Sequence, residues 1–292
     1  MKVAAMLVSY EKILDLDKIA NDLLHLVDLV YIVDNSPQKK IHICEGKYEK
    51  LVIKNNFNQG GLAGAYNMGI QEALNLNKDI SHFLFLDDDT NLKSIGNFLK
   101  DQKTSELLSH KRVAAVAPKQ RDASTGMLST YIELKKWHYI HRSRNDTTYS
   151  YVSFIINSMS LWKTGALKEI GEYSTELFLD HVDTDFCLRA KQKGYLLGIN
   201  HNVEFLHTIG NRKLYKFLGM SLQATGHNPF RREMIIKNTV ILIKKYSVLY
   251  PAFFLIGIIR IFYEVLGIII AENDKKIKLI SISKGFFKGL RN

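Results

Sequence analysis

Three consecutive carboxylates, Asp87-Asp88-Asp89, follow the apolar run Phe83-Leu84-Phe85-Leu86. A buried strand that delivers acids to one edge concentrates negative charge, and a divalent cation relieves it. Oxygen ligands of this kind suit Mg²⁺ or Mn²⁺, which can also bridge the phosphates of a bound nucleotide. A solvated acidic turn opening the next helix would account for the same residues. A second cluster, Asp180, Asp183 and Asp185, opens a short helix that stops near Gly194. Free N–H groups and the macrodipole stabilise carboxylates at a helix start whatever their function. The chemical alternative is a carboxylate base on a rigid element, aimed at a hydroxyl. His207, in FLHTIG, is a single imidazole after an apolar strand, either structural or a metal ligand. Asp34 closes LVYIVDNS as a turn former or as a ligand-binding acid.

The segment NQGGLAGAYNMG (Asn58–Gly69) is glycine-rich but is no phosphate-binding Walker loop, because no Gly-Lys-Ser/Thr follows. It also misses the dinucleotide spacing after the first strand. Its small residues open a helix and permit close approach of a ligand or a neighbouring strand.

The elements that must position these groups alternate in type. VAAMLVSY (Val3–Tyr10), LVYIVDNS (Leu29–Ser36), LVIKNN (Leu51–Asn56), SHFLFLDDD (Ser81–Asp89) and VAAVAP (Val113–Pro118) read as strands. Leu16–Leu29 and Asn67–Leu76 read as helices between them. Near-continuous apolar runs mark strands buried on both faces, so the expected fold is α/β with a mostly parallel sheet. The ligand site of such a sheet lies at the carboxyl ends of the strands. Residues 126–151 are aromatic and polar without a clear period, and read as antiparallel strands or an acceptor-facing loop.

The chain has 292 residues and a net charge of +11. From Arg212 to Asn292 there are 15 Lys+Arg against 4 Asp+Glu, so residues 1–211 are neutral and the tail carries the whole excess. A local basic excess implies an anionic partner. No base-stacking aromatic array accompanies it, which disfavours nucleic acid and favours an anionic membrane surface. Within the tail, Pro251–Ala271 is long and apolar, with Gly257, Arg260, Glu264, Gly267 and Ala271 forming one narrow seam. This pattern fits a helix lying in a membrane interface, a core or homodimer helix, or a spanning segment. Lys275, Lys276, Lys278, Lys284, Lys288 and Arg291 follow it. Cys44 and Cys187 lack metal-ligand spacing and read as ordinary thiols in a reducing compartment. The N-terminal MKVAAMLVSYEK lacks a signal peptide's long apolar core and cleavage site, which predicts a cytoplasmic chain.

In order, VSY, VDNS, NQGGLAGAYNMGI, FLFLDDDT, FIINSMSLW, LFLDHVDTDFCLRAKQKGY and FLHTIG resemble the inverting glycosyltransferases of family 2, of GT-A fold, in their rhamnosyltransferase-like branch. The likeness covers about residues 3–211 and extends loosely into the tail, implying a catalytic domain over 1–211 and a helical, basic extension over 212–292. It implies a sugar, dTDP-L-rhamnose for preference and otherwise a UDP-galactofuranose or UDP-hexose, passed to a glycan or lipid-linked acceptor in bacterial surface polysaccharide synthesis. The enzyme would act on the inner face of the plasma membrane. Asp34 corresponds to the acid that binds the pyrimidine base. Asn58, Gly60, Gly61 and Asn67 correspond to the loop lining the donor pocket. Asp87 and Asp89 match the DxD acids, with Asp88 between them on the donor side and His207 completing the metal site. Asp183 matches the catalytic base, with Asp185 and Arg189 supporting its helix. The family's base is often preceded by Glu where this chain has Val182, so Asp180 is the competing carboxylate. A sugar-phosphate nucleotidyltransferase would show a glycine-rich Arg/Lys loop after strand one, and VSYEKILDLDK has none. A non-catalytic membrane-associated scaffold is the other alternative, and the intact acids argue against it.

Overall fold

The computed structural model describes residues 1–41, 48–142, 147–207, 213–217 and 220–292, and Cys44 lies outside them. They form two compact units. The first holds residues 1–120 and 143–206, the second 121–142 and 207–292. One boundary along the chain falls after Leu206. Residues 121–142, however, group with the tail.

In the first unit, β1 (Val3–Ser9), β2 (Leu29–Asp34), β3 (Leu51–Asn55) and β4 (His82–Asp87) are parallel neighbours in the order β3-β2-β1-β4. Every residue of β1 and β2 is buried, as expected of strands covered on both faces. Helix α1 (Leu16–Leu23) connects β1 to β2, and α2 (Gly61–Leu76) connects β3 to β4. The first helix is shorter than the Leu16–Leu29 expected from its periodicity. Leu29 is taken by β2, where it pairs with Ala4, and the Asp28 carboxylate accepts the Val3 N–H at 2.8 Å. Conversely, α2 begins six residues before Asn67, inside the glycine-rich segment. Gly69 is what seats it: a Cβ there would lie 2.8 Å from Met6 Cε and 2.9 Å from Val33 Cγ2.

Beyond β4 come α3 (Ile95–Lys100), α4 (Gln102–Ser109) and β5 (Val113–Asp122), then β6 (Tyr131–Leu134), β7 (Tyr139–Arg142), β8 (Tyr149–Val152) and β9 (Ser160–Lys163). Helices α5 (Thr164–Ile170) and α6 (Val182–Gln192) lead into β10 (Leu196–His207). The sheet continues β4-β9-β5-β10-β8, with β9 antiparallel to both β4 and β5. Its core gathers Leu7, Ile32, Leu84, Leu86, Val116 and Leu161 among others. The chain runs from β1 outward to β3 and then crosses back to β4 on the other side of β1. That reversal puts a topological switch point between the carboxyl ends of β1 and β4, where ligands enter open α/β sheets.

The second unit contains the β6–β7 hairpin, with Tyr131 opposite Arg142, and the antiparallel pair β11 (Lys213–Phe217) and β12 (Met220–Ala224). Antiparallel strands therefore occupy much of 126–151. Three helices follow: α7 (Pro229–Tyr246), α8 (Pro251–Ala271) and α9 (Lys275–Arg291). Asn228 caps α7 by accepting the Arg231 N–H at 2.8 Å, and proline starts both α7 and α8. Ile235, Ile236, Val240, Ile268 and Ile282 form their small core. Arg232, almost fully buried, pairs with Glu264 and Glu272, and Lys278 reaches Glu272 at 2.9 Å. Of the lysines read as favouring anionic lipid, Lys278 is buried against Glu272, and Lys288 stays exposed while pairing with Glu233 at 2.6 Å.

Candidate active site

Register fixes the edge. Asp34 lies opposite Ser9, and Asp87 opposite Val8, so β2, β1 and β4 end level with one another. Asp34 is fully buried, and its carboxylate accepts N–H groups of Ser36 (3.1 Å), Lys40 (2.6 Å) and Ile41 (3.0 Å). Burial by itself would raise its pKa. The Ser36 hydroxyl and the three N–H donors outweigh that and hold it below the usual carboxylate value. Here Asp34 organises the loop after β2. Next to it, Asn56 donates to Asn35 and to the Gln59 carbonyl, both at 2.8 Å, and Asn35 donates to Asn58 at 3.3 Å.

The triple acid divides by direction. Residues two apart at a strand end point the same way, and the one between points opposite. Asp88 turns to the β1–α1 loop, where it pairs with Lys12 and accepts the Tyr10 N–H at 3.2 Å and the Ser9 hydroxyl at 3.4 Å. Asp87 and Asp89 instead converge with His207, their ligating atoms all within 4.8 Å of one another. The boundary between the units falls at the last peptide of β10, so His207 is placed by the strand that ends on it. The Asp87 carboxyl is pushed up to about 7, first by burial and then by the charge of Asp89, with Asp88 and Asp183 adding to it and a Ser158 hydrogen bond opposing. Thr90 supports the turn: its hydroxyl accepts the Asp87 N–H at 2.9 Å and lies 3.0 Å from the Ser158 hydroxyl.

A divalent cation fits this donor set. It would offset the burial and the neighbouring carboxylate charges that raise Asp87, and two carboxylates with one imidazole suit Mn²⁺ better than the all-oxygen preference of Mg²⁺.

Asp183 sits in the first turn of α6 and accepts the Thr184 N–H at 2.8 Å. Its charge is felt at Asp87, Tyr66, Tyr173 and Cys187. Asp180 lies just before the helix, ahead of its N-cap residue His181. Asp185 is buried and pairs with Arg189 at 2.8 Å, and Arg189 also donates to the carbonyls of Ile170 (3.0 Å) and Glu172 (2.8 Å). This pair fastens α6 to the segment after α5.

The glycines act at the same place. Gly60 and Gly61 both have positive φ, at 67° and 62°. A Cβ on Gly61 would lie 2.7 Å from the Phe178 ring, and one on Gly60 2.9 Å from Thr175 Cγ2. The Leu62 N–H bonds the Phe178 carbonyl at 2.6 Å, which seats the start of α2 against the lead-in to α6. Asn67 completes the join with both ends of its amide, donating to the Tyr173 carbonyl at 2.9 Å and accepting its N–H at 2.7 Å. An aromatic floor lies beneath: Tyr66 meets Phe85 edge-on at 5.2 Å, and Tyr173 stacks on Phe186 at 4.0 Å.

Sequence reasoning missed Lys12, Thr90, Ser158 and the Tyr66–Tyr173 pair. Ser158, Thr90 and Tyr66 fall inside the motifs FIINSMSLW, FLFLDDDT and NQGGLAGAYNMGI, and Lys12 lies just after VSY, but nothing in their spacing marks them.

The sheet order, the switch point and the acid edge define a GT-A fold. The solved structure of GalNAc-T7 with UDP, GalNAc and Mn²⁺ superposes with a TM-score of 0.56 at 13% identity, covering 100% of this chain and 56% of that one. That of A197 from STIV aligns over 76% of this chain and 90% of its own at 15% identity, with a TM-score of 0.43 that is too low to carry weight. In sequence, the chain is a distant homologue of the dTDP-rhamnosyl transferase RfbF of Shigella flexneri, 27% identical over 211 residues. The match takes in 71% of this chain and 64% of that relative, so it spans less than two thirds of the relative's length. No protein-family model matches the chain.

Proposed function

We propose that the protein is an inverting glycosyltransferase that passes a sugar from a nucleoside diphosphate donor to a hydroxyl of a glycan or lipid-linked acceptor. The observation that carries this reading is the convergence of Asp87, Asp89 and His207 at the switch point, with the charge of Asp183 reaching Asp87.

In this mechanism the donor diphosphate lies over the carboxyl ends of β1 and β4. Asp87, Asp89 and His207 would hold Mn²⁺ or Mg²⁺, which would supply neutralisation for the charge that develops on the departing diphosphate. The loop held by Asp34 and the Asn35–Asn56–Asn58 network flank the nucleoside. Asp183 takes the proton from the acceptor hydroxyl as that oxygen attacks the anomeric carbon from the face opposite the leaving group. One base suffices for such a displacement, in contrast to the acid–base pair of a glycosidase. Asp185 and Arg189 keep α6 in place while the base works.

The name of the Shigella relative supports dTDP-L-rhamnose as donor. The test is nucleotide release by the purified chain with Mn²⁺ and a panel of dTDP-rhamnose, UDP-galactofuranose and UDP-hexoses. Release from dTDP-rhamnose with an inverted product anomer by NMR is the expected result. Release from a UDP-sugar alone would reassign the donor, a retained anomer would overturn the single displacement, and no release from any donor would favour a scaffold.

A further inference from the structure

Helix α8 is packed the opposite way from a soluble core helix. The glycines and Glu264 of its seam face inward, while Arg260 is exposed. Gly257 lies so close to α7 that a Cβ would fall 2.6 Å from Ile243 Cγ1, Gly267 is buried, and Glu264 pairs with the buried Arg232. The wide apolar face is left outside: Phe254, Leu255, Ile258, Ile259, Phe262 and Tyr263 are each exposed. By length and composition α8 could cross a membrane, yet only 22% of its most apolar stretch is buried within the chain. At about 1.5 Å per residue it is roughly 31 Å long, and Arg260 is the one charged residue of α8 that is exposed, following Ile258 and Ile259.

We infer that this face of α8 lies in the plane of an anionic lipid leaflet, with the outer side of α9 beside it. Two observations select lipid as the occupant. First, the outer side of α9 continues the same chemistry, with exposed Ile277, Ile280 and Phe287 interspersed with exposed Lys275, Lys276, Lys284 and Arg291. Apolar insertion flanked by lysines is the pattern of an interfacial helix. Second, residues 212–292 carry 15 basic against 4 acidic side chains, which makes approach of a second copy of the same tail electrostatically unfavourable and approach of anionic headgroups favourable. A perpendicular, spanning placement is disfavoured because the Arg232–Glu264–Glu272 network and the lysines of α7 and α9 would be carried into hydrocarbon.

The test is co-flotation of the full chain with vesicles of phosphatidylglycerol and phosphatidylcholine, and with phosphatidylcholine alone. Binding to the anionic vesicles is expected, weakened but not abolished by high salt, since charge attraction is screened and apolar burial is not. Exchanging two outward residues, Ile258→Ser with Phe262→Ser, should lower the partition coefficient at least about tenfold in both salts. Lys275→Glu with Lys276→Glu should lower it by about fivefold or more per site at low salt only. Circular dichroism distinguishes these effects from unfolding. A wild-type chain that ignores vesicles overturns the inference. If it also forms dimers that Phe262→Ser dissociates, the face belongs to a second copy.

Discussion

Exchanging Asp183 for Asn tests the chemistry with little disturbance to the fold. The Asn Oδ1 can still accept the Thr184 N–H that Asp183 accepts at 2.8 Å, so the first turn of α6 keeps its local bond. What is lost is one negative charge at a helix start, worth about 0.3–1 kcal/mol, and the proton acceptor itself. General-base catalysis contributes about 10²–10⁴-fold, equivalent to roughly 2.7–5.4 kcal/mol of barrier, so kcat should fall within that range. The structure adds a second expectation. The charge of Asp183 is one of those that raise the Asp87 carboxyl. Removing it eases ionisation of a metal ligand but also withdraws a negative charge that attracts the cation, so affinity for Mn²⁺ and donor should change little as turnover collapses. Steady-state kinetics with a varied acceptor, together with calorimetric titration of Mn²⁺ and donor nucleotide, separates the two effects. Asp180→Asn serves as the control and should retain most activity. The reasoning is refuted if Asp183→Asn keeps more than a tenth of wild-type turnover, or if Asp180→Asn is the variant that fails.

Three further outcomes are expected. Asp89→Ala should remain folded by circular dichroism but lose Mn²⁺ binding by electron paramagnetic resonance and with it transfer; undiminished binding would remove Asp89 from the metal site. Gly61→Ala combines positive φ with a collision against Phe178, and should destabilise by about 1–3 kcal/mol; an unchanged melting temperature would contradict the close packing of α2 on the lead-in to α6. Glu272 is buried, which alone would raise its pKa, but Lys278, the Gly226 N–H and Arg232 hold it below 4.5. A lowered carboxylate contributes stability that is present above its unfolded value and lost as pH falls through the folded one. The wild-type chain should therefore lose stability as pH drops below about 4.5, and Glu272→Gln should flatten that part of the curve. At neutral pH the same change leaves Arg232 with fewer buried partners and should cost up to about 3–5 kcal/mol, measurable by urea denaturation; equal urea midpoints would show the network to be dispensable.

The sequence by itself determined the strand–helix alternation, because a continuous apolar run and a helical stripe are local patterns that survive in one dimension. It also placed the acids at strand ends and helix starts, since such groups are tolerated only where chain polarity or solvent accepts them. The likeness of ordered motifs pointed to Asp183 and to the outer two of the three consecutive acids.

Direction was decided by the tertiary structure. Asp88 is paired by Lys12, 76 residues away in sequence, leaving Asp87 and Asp89 to meet His207. Asn67 and the glycines of α2, read as donor-lining, are engaged with Tyr173 and Phe178 in this structure, because a segment more than 100 residues downstream packs against them. Lys278, one of a run of lysines in the sequence, is buried because it pairs with Glu272, which also pairs with Arg232. Residues 121–142 joined the C-terminal helices, a grouping that depends on packing and leaves no trace in composition. The same holds for α8. Its periodicity shows two faces, one of small and charged residues and one of large apolar ones, and either could be turned inward. Close approach to α7 through Gly257 and the pairing of Glu264 with Arg232 turned those seam residues inward and left Arg260 exposed, which only the three-dimensional neighbours of that helix could do.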